Sequence, residues 1–158
     1  MKPVKVFWDL EETCLTSWEE GLLCNVSKLR EWVADNHVTE VTVFSAAVYD
    51  ERDKEVFNRD FKQMLESAFG VTVVDCLTYD DVRKVVCKEH RMQLDLHEFI
   101  SLWGKQRGFH DYCMTTMTDC TAVLVDDCVG NMTTVFHDKN LTVELVRVAF
   151  GKPLRNVC

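Results

Sequence analysis

The chain has 158 residues, 47% of them hydrophobic and 28% charged, and its formal net charge is −8. That length fits one domain over residues 1–158, large enough to bury a core without covalent cross-links. The acidic balance, with no lysine- or arginine-rich run, argues against long nucleic acid as a partner, and no apolar run approaches the roughly 20 residues that cross a bilayer.

The first apolar run, Val4-Lys5-Val6-Phe7-Trp8, stops at Asp9 and is followed by Glu11 and Thr13. A short run of this kind bounded by polar residues predicts a buried strand. Because the run meets acids so early, it does not read as a secretory leader, and a cytoplasmic location is expected. A polar and aromatic stretch follows from Leu15 to Leu23, with Trp18 expected to pack. Asn25 or Ser27 then caps a predicted helix reaching about Asn36, with Val26, Leu29, Trp32 and Val33 on one face.

Val41-Thr42-Val43-Phe44 is a second strand-like run and ends at Ser45. Apolar residues recur at helical spacing from Asp50 to Phe69, which predicts one long helix stopped by Gly70. Val71–Cys76 reads as a third strand. Asp80 or Asp81 opens a helix to about His90, and Asp95 opens another that Gly104 breaks, with a short segment from Lys105 leading onward. Thr121-Ala122-Val123-Leu124-Val125 is a strand ending at Asp126-Asp127. Residues 130–137 read as a helix, and Leu141–Val148 as the last strand. The only prolines, Pro3 and Pro153, lie near the two ends and interrupt nothing between.

Alternating strands and helices imply an α/β fold, a central parallel sheet with helices on both faces. In such sheets ligands bind outside the carboxyl ends of the strands, where Asp9, Ser45 and Asp126 all fall. The eight cysteines include Cys14, Cys24, Cys128 and Cys158 but contain no C-x-x-C pair. They therefore read as thiols, several of them small hydrophobes in apolar runs, and not as a zinc site. Asp9, Asp126 and Asp127, with Glu11 nearby, would crowd carboxylates whose mutual repulsion a hard divalent cation relieves.

These stretches also resemble the motifs of a known family. DLEET at residues 9–13 resembles the DLDET signature of the haloacid dehalogenase superfamily, the aspartate-nucleophile phosphatases and phosphotransferases. VTVFS ending at Ser45 resembles that family's second motif, and AVLVDD with Asn131 following resembles its fourth. The order matches over roughly residues 3–135, with one departure: Glu11 stands where the family has a second aspartate.

The resemblance implies a Rossmann-like three-layer sandwich with the strand before Asp9 in the centre. The strands before Ser45 and Asp126 would flank it, and the spans between motifs leave no room for a large cap domain. It implies a Mg²⁺-dependent phosphomonoester hydrolase in which Asp9 attacks phosphorus and Glu11 serves as acid and base. Ser45 would hold the phosphoryl group and Thr13 would orient the loop. Lys105 is the candidate for the lysine of the third motif, with Lys84 and Lys88 as competitors. Mg²⁺ would sit on Asp9, on one or both of Asp126 and Asp127, directly or through water, and on the main-chain carbonyl of Glu11, with Asn131 bonding an acidic ligand or capping a helix. Substrates would be a phosphoprotein, a nucleotide or a small phosphomonoester. The alternative is a catalytically silent domain of the same fold, used for binding or regulation.

Overall fold

The computed structural model describes residues 2–148, so Cys158 and Pro153 lie outside the described residues. Six strands form one sheet: β1 (Val4–Trp8), β2 (Glu40–Phe44), β3 (Thr72–Leu77), β4 (Cys120–Asp126), β5 (Met132–Phe136) and β6 (Leu141–Arg147). Their order across the sheet is β3-β2-β1-β4-β6-β5. All neighbours are parallel except β5, which runs antiparallel to β6. The strand before Asp9 is therefore internal, flanked by those before Ser45 and Asp126, as expected.

Alternation along the strands builds two cores. Val6 and Trp8, Val41 and Val43, and Val123 and Val125 face one side, where they pack with α1 (Val26–Asp35), α2 (Glu51–Asp60) and α3 (Lys62–Phe69). Phe7, Phe44, Ala122, Leu124, Leu141, Val143 and Leu145 face the other. There they meet α4 (Tyr79–Glu89), α5 (Leu96–Trp103) and α6 (Lys105–Thr116). The result is a three-layer α/β arrangement whose middle layer is apolar on both faces.

Local chemistry sets the helix starts. Thr78 and Asp95 each cap a helix through a reciprocal box with the acid three residues on, Asp81 and Glu98. Asp50 caps α2 by accepting from the amides of Arg52 and Asp53.

Four expectations need correcting. The helix predicted over 50–69 is bent at Phe61 into α2 and α3, although Phe61 N still donates to Phe57 O and Leu65 N to Phe61 O. At the bend Phe61 packs on Trp18, ring centroids 4.8 Å apart, a contact with the first loop. Residues 130–137 are not helical: they form β5, whose Thr133, Thr134 and Val135 are β-branched and pair with Glu144, Val143 and Thr142. That edge strand also makes the sheet mixed instead of wholly parallel. Asn25 occupies the start of α1 in a left-handed conformation without capping it through its side chain. Finally, Lys105 opens a full helix, α6, and not a short connecting segment.

Candidate active site

β1 and β4 run in register up to Trp8 opposite Val125, and Asp9 N donates to Val125 O at 3.0 Å. The next residue of each strand is therefore an aspartate, and Asp9 and Asp126 end side by side, both buried. Oxygens of Asp9, Asp126 and Asp127 all lie within 4.8 Å of one another.

Lys105 completes this arrangement. Its Nζ donates to Asp9 Oδ1 at 2.8 Å and lies 2.5 Å from Asp126 Oδ2. It also stands 5.4 Å from the centroid of the Phe44 ring. Gly104, at φ 75° and ψ 168°, ends α5 and starts α6, and so delivers Lys105 to the strand ends. Burial alone would lower the lysine's pKa, but Asp9 and Asp126 hold it above the usual value. Burial likewise acts to raise Asp126, yet Lys105 and the amide of Cys128 hold its carboxyl below the ordinary range. Asp127 has no such cation: burial and then Asp9 push it up to about 7. Lys84 and Lys88 lie elsewhere, beside a separate groove with Arg83 and Leu94, and Lys84 pairs with Asp80 at 3.1 Å.

The loop after β1 fixes the remaining groups. Thr13 Oγ1 donates to Asp9 Oδ2 at 3.1 Å, so both carboxylate oxygens of Asp9 are held. Glu11 Oε2 accepts from Trp18 N at 3.0 Å, tying this side chain to the stretch that folds back over the site. That stretch is a narrow flap: Leu15 bridges Glu11 on one side and Leu23 on the other. Asn25, expected as a helix cap, instead donates to the carbonyls of Glu12 and Thr13 at 3.2 and 3.0 Å, bracing the turn. Cys14 is buried beneath Asp9, with its Sγ donating to the Asp9 carbonyl at 3.5 Å. Burial and then Asp9 push its thiol well up, so Cys14 is no nucleophile.

A cavity of about 590 Å³ opens over these groups, lined by Asp9, Glu11, Lys105, Asp126 and Asp127. Ser45 ends β2 fully buried, its Oγ accepting from Ala47 N at 3.2 Å, and its neighbour Ala46 lines the cavity instead. Asn131 does neither job expected of it: its Oδ1 accepts from Arg147 N at 2.9 Å, bracing the β5–β6 connection. The structure thus gathers Asp9, Glu11, Thr13, Lys105, Asp126 and Asp127 and leaves Asn131 outside.

Several residues lining the cavity lie outside the motifs. Cys128 N donates to Asp126 Oδ1 at 2.8 Å and fixes that carboxylate. Thr16 lines the cavity with a buried hydroxyl that has no hydrogen-bond partner. Tyr79 packs on Phe44, centroids 5.1 Å apart, and faces the same space. A signal for Tyr79 existed, since it lies two residues past the end of a parallel strand, close to where Asp9 and Ser45 lie on theirs.

The donor set suits a hard divalent cation: three carboxylates whose oxygens converge within 4.8 Å of one another. No helix among the described residues is long and apolar enough to cross a membrane. No protein-family model, curated protein or solved structure matches this chain.

Proposed function

We propose that the chain is a Mg²⁺-dependent phosphomonoester hydrolase of the haloacid dehalogenase type, working through an aspartyl-phosphate on Asp9. The observation that supports it most is the convergence of Asp9, Lys105 and Asp126, drawn from three distant segments onto the carboxyl ends of adjacent strands.

Asp9, Asp126 and Asp127 would hold Mg²⁺, with the Glu11 main-chain carbonyl as a further oxygen. When bound, the ion supplies positive charge against the phosphoryl oxygens and allows an anionic nucleophile to approach. Asp9 is oriented for attack by Thr13 and Lys105, one on each oxygen. Its free lone pair forms the new O–P bond while the ester O–P bond breaks. Glu11 gives its proton to the departing alkoxide, then takes one from the water that cleaves the O–P bond to Asp9. Lys105 balances charge on Asp9 and on the transferring group. Ser45 supports the β2 end of the phosphoryl site, beside Ala46.

A second reading is a silent domain of the same fold that binds a phosphorylated or protein partner. It is favoured by the bond from Trp18 N to Glu11 Oε2, which gives this side chain a structural task. Both readings meet one experiment: hydrolysis of a phosphomonoester panel with and without Mg²⁺, alongside thermal shift with beryllofluoride and Mg²⁺. An active enzyme shows metal-dependent turnover and a beryllofluoride shift, both lost in Asp9→Asn. A silent domain shows neither turnover nor an Asp9-dependent shift.

A further inference from the structure

Lys105 separates two cavities. Besides the one over the carboxylates, a second of about 650 Å³ lies along the first turns of α6 and shares Lys105, Asp126 and Cys128 with it. A group leaving from the first space has the second directly beside it.

The two spaces differ in charge. The first is lined by acids. Among the described residues, the only acid lining the second is Asp126, which already faces Lys105 at 2.5 Å. The first turn of α6 contains no acidic residue. His110 is occupied: Nδ1 faces the Gln106 carbonyl at 3.0 Å and so is the donating nitrogen, leaving Nε2 to the Thr134 hydroxyl at 3.3 Å.

The remaining charge is Arg107. Its guanidinium carbon lies 4.0 Å from the centroid of the Trp103 ring. Trp103 is itself fixed, donating from Nε1 to Asp111 Oδ2 at 2.6 Å and stacking on Phe99. A guanidinium lying on an aromatic face keeps its N–H groups in its own plane, free for a planar, two-pronged acceptor. Among the described residues no carboxylate pairs with Arg107. In a chain of net charge −8, this exposed arginine rests on Trp103 with no carboxylate partner among the described residues and lines a cavity that shares Lys105 with the first, so its N–H groups are open to an anion there. Val129 and Met132 give the same cavity an apolar wall.

We propose that this second cavity holds the leaving group of the substrate, and that Arg107 on Trp103 selects leaving groups bearing an anion of their own, a carboxylate or a second phosphate. This rests on the phosphohydrolase reading and narrows its substrates to doubly anionic phosphomonoesters with an apolar or flat body.

The test compares three substrates: phenyl phosphate, the same ester with a carboxymethyl arm, and the same ester with a phosphonomethyl arm. The two charged probes separate the carboxylate from the phosphate source. Wild-type protein is expected to favour a charged probe by about tenfold through KM, the scale of one charge-assisted hydrogen bond. Arg107→Gln abolishes that preference, Arg107→Lys keeps part of it, and both leave phenyl phosphate unchanged. Equal KM values across the three esters, or an equal loss on all three in Arg107→Gln, overturns the assignment while the phosphatase reading stands. Benzylphosphonates with the same arms, followed by thermal shift, ask the question without turnover. If no ester is hydrolysed yet Arg107→Gln still removes the preference among phosphonates, the subsite stands and the hydrolase reading falls. If the phosphonates show no preference either, both fall.

Discussion

Lys105 and Asp9 lie 96 positions apart in the chain, yet a 2.8 Å hydrogen bond joins them at the carboxyl end of the central strand. Asp126, on the other side of the lysine, shares the same ammonium. One buried cation thus compensates two buried carboxylates, and the third, Asp127, is left without compensation.

Removing that cation is the first prediction. Lys105→Met keeps an unbranched side chain, one heavy atom shorter and uncharged, and leaves Asp9 and Asp126 buried without a partner, which costs about 3–5 kcal/mol for a broken buried pair. Urea unfolding without metal should show a loss of that size, and millimolar Mg²⁺ should recover part of it by taking over the charge. Turnover should fall about 10²–10³-fold, the scale of a lost electrostatic contact to the transition state. Lys84→Met and Lys88→Met should change neither, since both lysines lie along the other groove.

The pH dependence of stability without metal follows from the two neighbouring aspartates, which have opposite signs. Asp126 is held below its ordinary value, so its contribution is present above about pH 4 and disappears as the pH falls through the folded-state value. Asp127 is raised to about 7, so ionising it opposes folding, and stability drains away as the pH climbs from about 4 to about 7. Denaturation midpoints between pH 4.5 and 7.5 should therefore decline for wild type and flatten for Asp127→Asn. Saturating Mg²⁺ should reverse the wild-type trend, because a cation binds the ionised carboxylates. A decline of the same steepness in Asp127→Asn assigns the slope to another group.

Gly104 carries the third prediction. Its φ of 75° with ψ of 168° lies where essentially only glycine is comfortable, and an added Cβ would meet nothing within 4 Å. Any cost of Gly104→Ala is thus backbone strain, about 1–3 kcal/mol, and not a clash. Relief of that strain shifts the start of α6 and with it Lys105. Turnover should fall more than the stability loss explains, whereas Gly70→Ala, also at positive φ and also in open space, should lose stability alone.

What the sequence made legible was whatever depends on period and position. Short apolar runs bounded by polar residues located β1, β2 and β4, and Asp9 and Asp126 meet at the crevice because a parallel sheet aligns strand ends, whereas Ser45 after β2 is buried and Ala46 lines the cavity in its place. The break at Gly104 exposed Lys105 as the start of an element. The features it hid depend on contacts between segments remote in sequence. Phe61 sits in an unbroken helical pattern, yet the helix breaks there with its ring against Trp18 of the first loop. Residues 132–136 are too short a run for local sequence to separate helix from strand, and pairing with β6 decides the outcome. Asn25 has the chemistry of a helix cap, and its amide spans the gap to the Glu12 and Thr13 carbonyls instead. Arg107 belongs to no motif and becomes notable only once Trp103 lies under it.

Glu11 separates two roles that one carboxylate holds at once. Through Oε2 it accepts from Trp18 N at 3.0 Å and anchors the flap, and on the proposed chemistry it also cycles the proton of the leaving oxygen. Glu11→Gln keeps an acceptor for Trp18 N but cannot cycle a proton. The flap should stay closed to hydrogen exchange over residues 15–23 while turnover of a poor leaving group drops about 10²–10⁴-fold. Glu11→Asp keeps the charge and the proton but withdraws the carboxyl by about 1 Å, a misplacement able to cost ~10²-fold. Here the Trp18 amide should exchange faster and turnover should fall as well, because the flap is set to glutamate's length. A good leaving group such as p-nitrophenolate needs no proton, so Glu11→Gln should release a rapid burst of one p-nitrophenolate per enzyme while the later water step stays slow, and Glu11→Asp should show a weakened burst through its loosened flap. Wild-type rates in Glu11→Gln with a poor leaving group would falsify a proton-transfer role and leave Glu11 as an anchor for the flap alone.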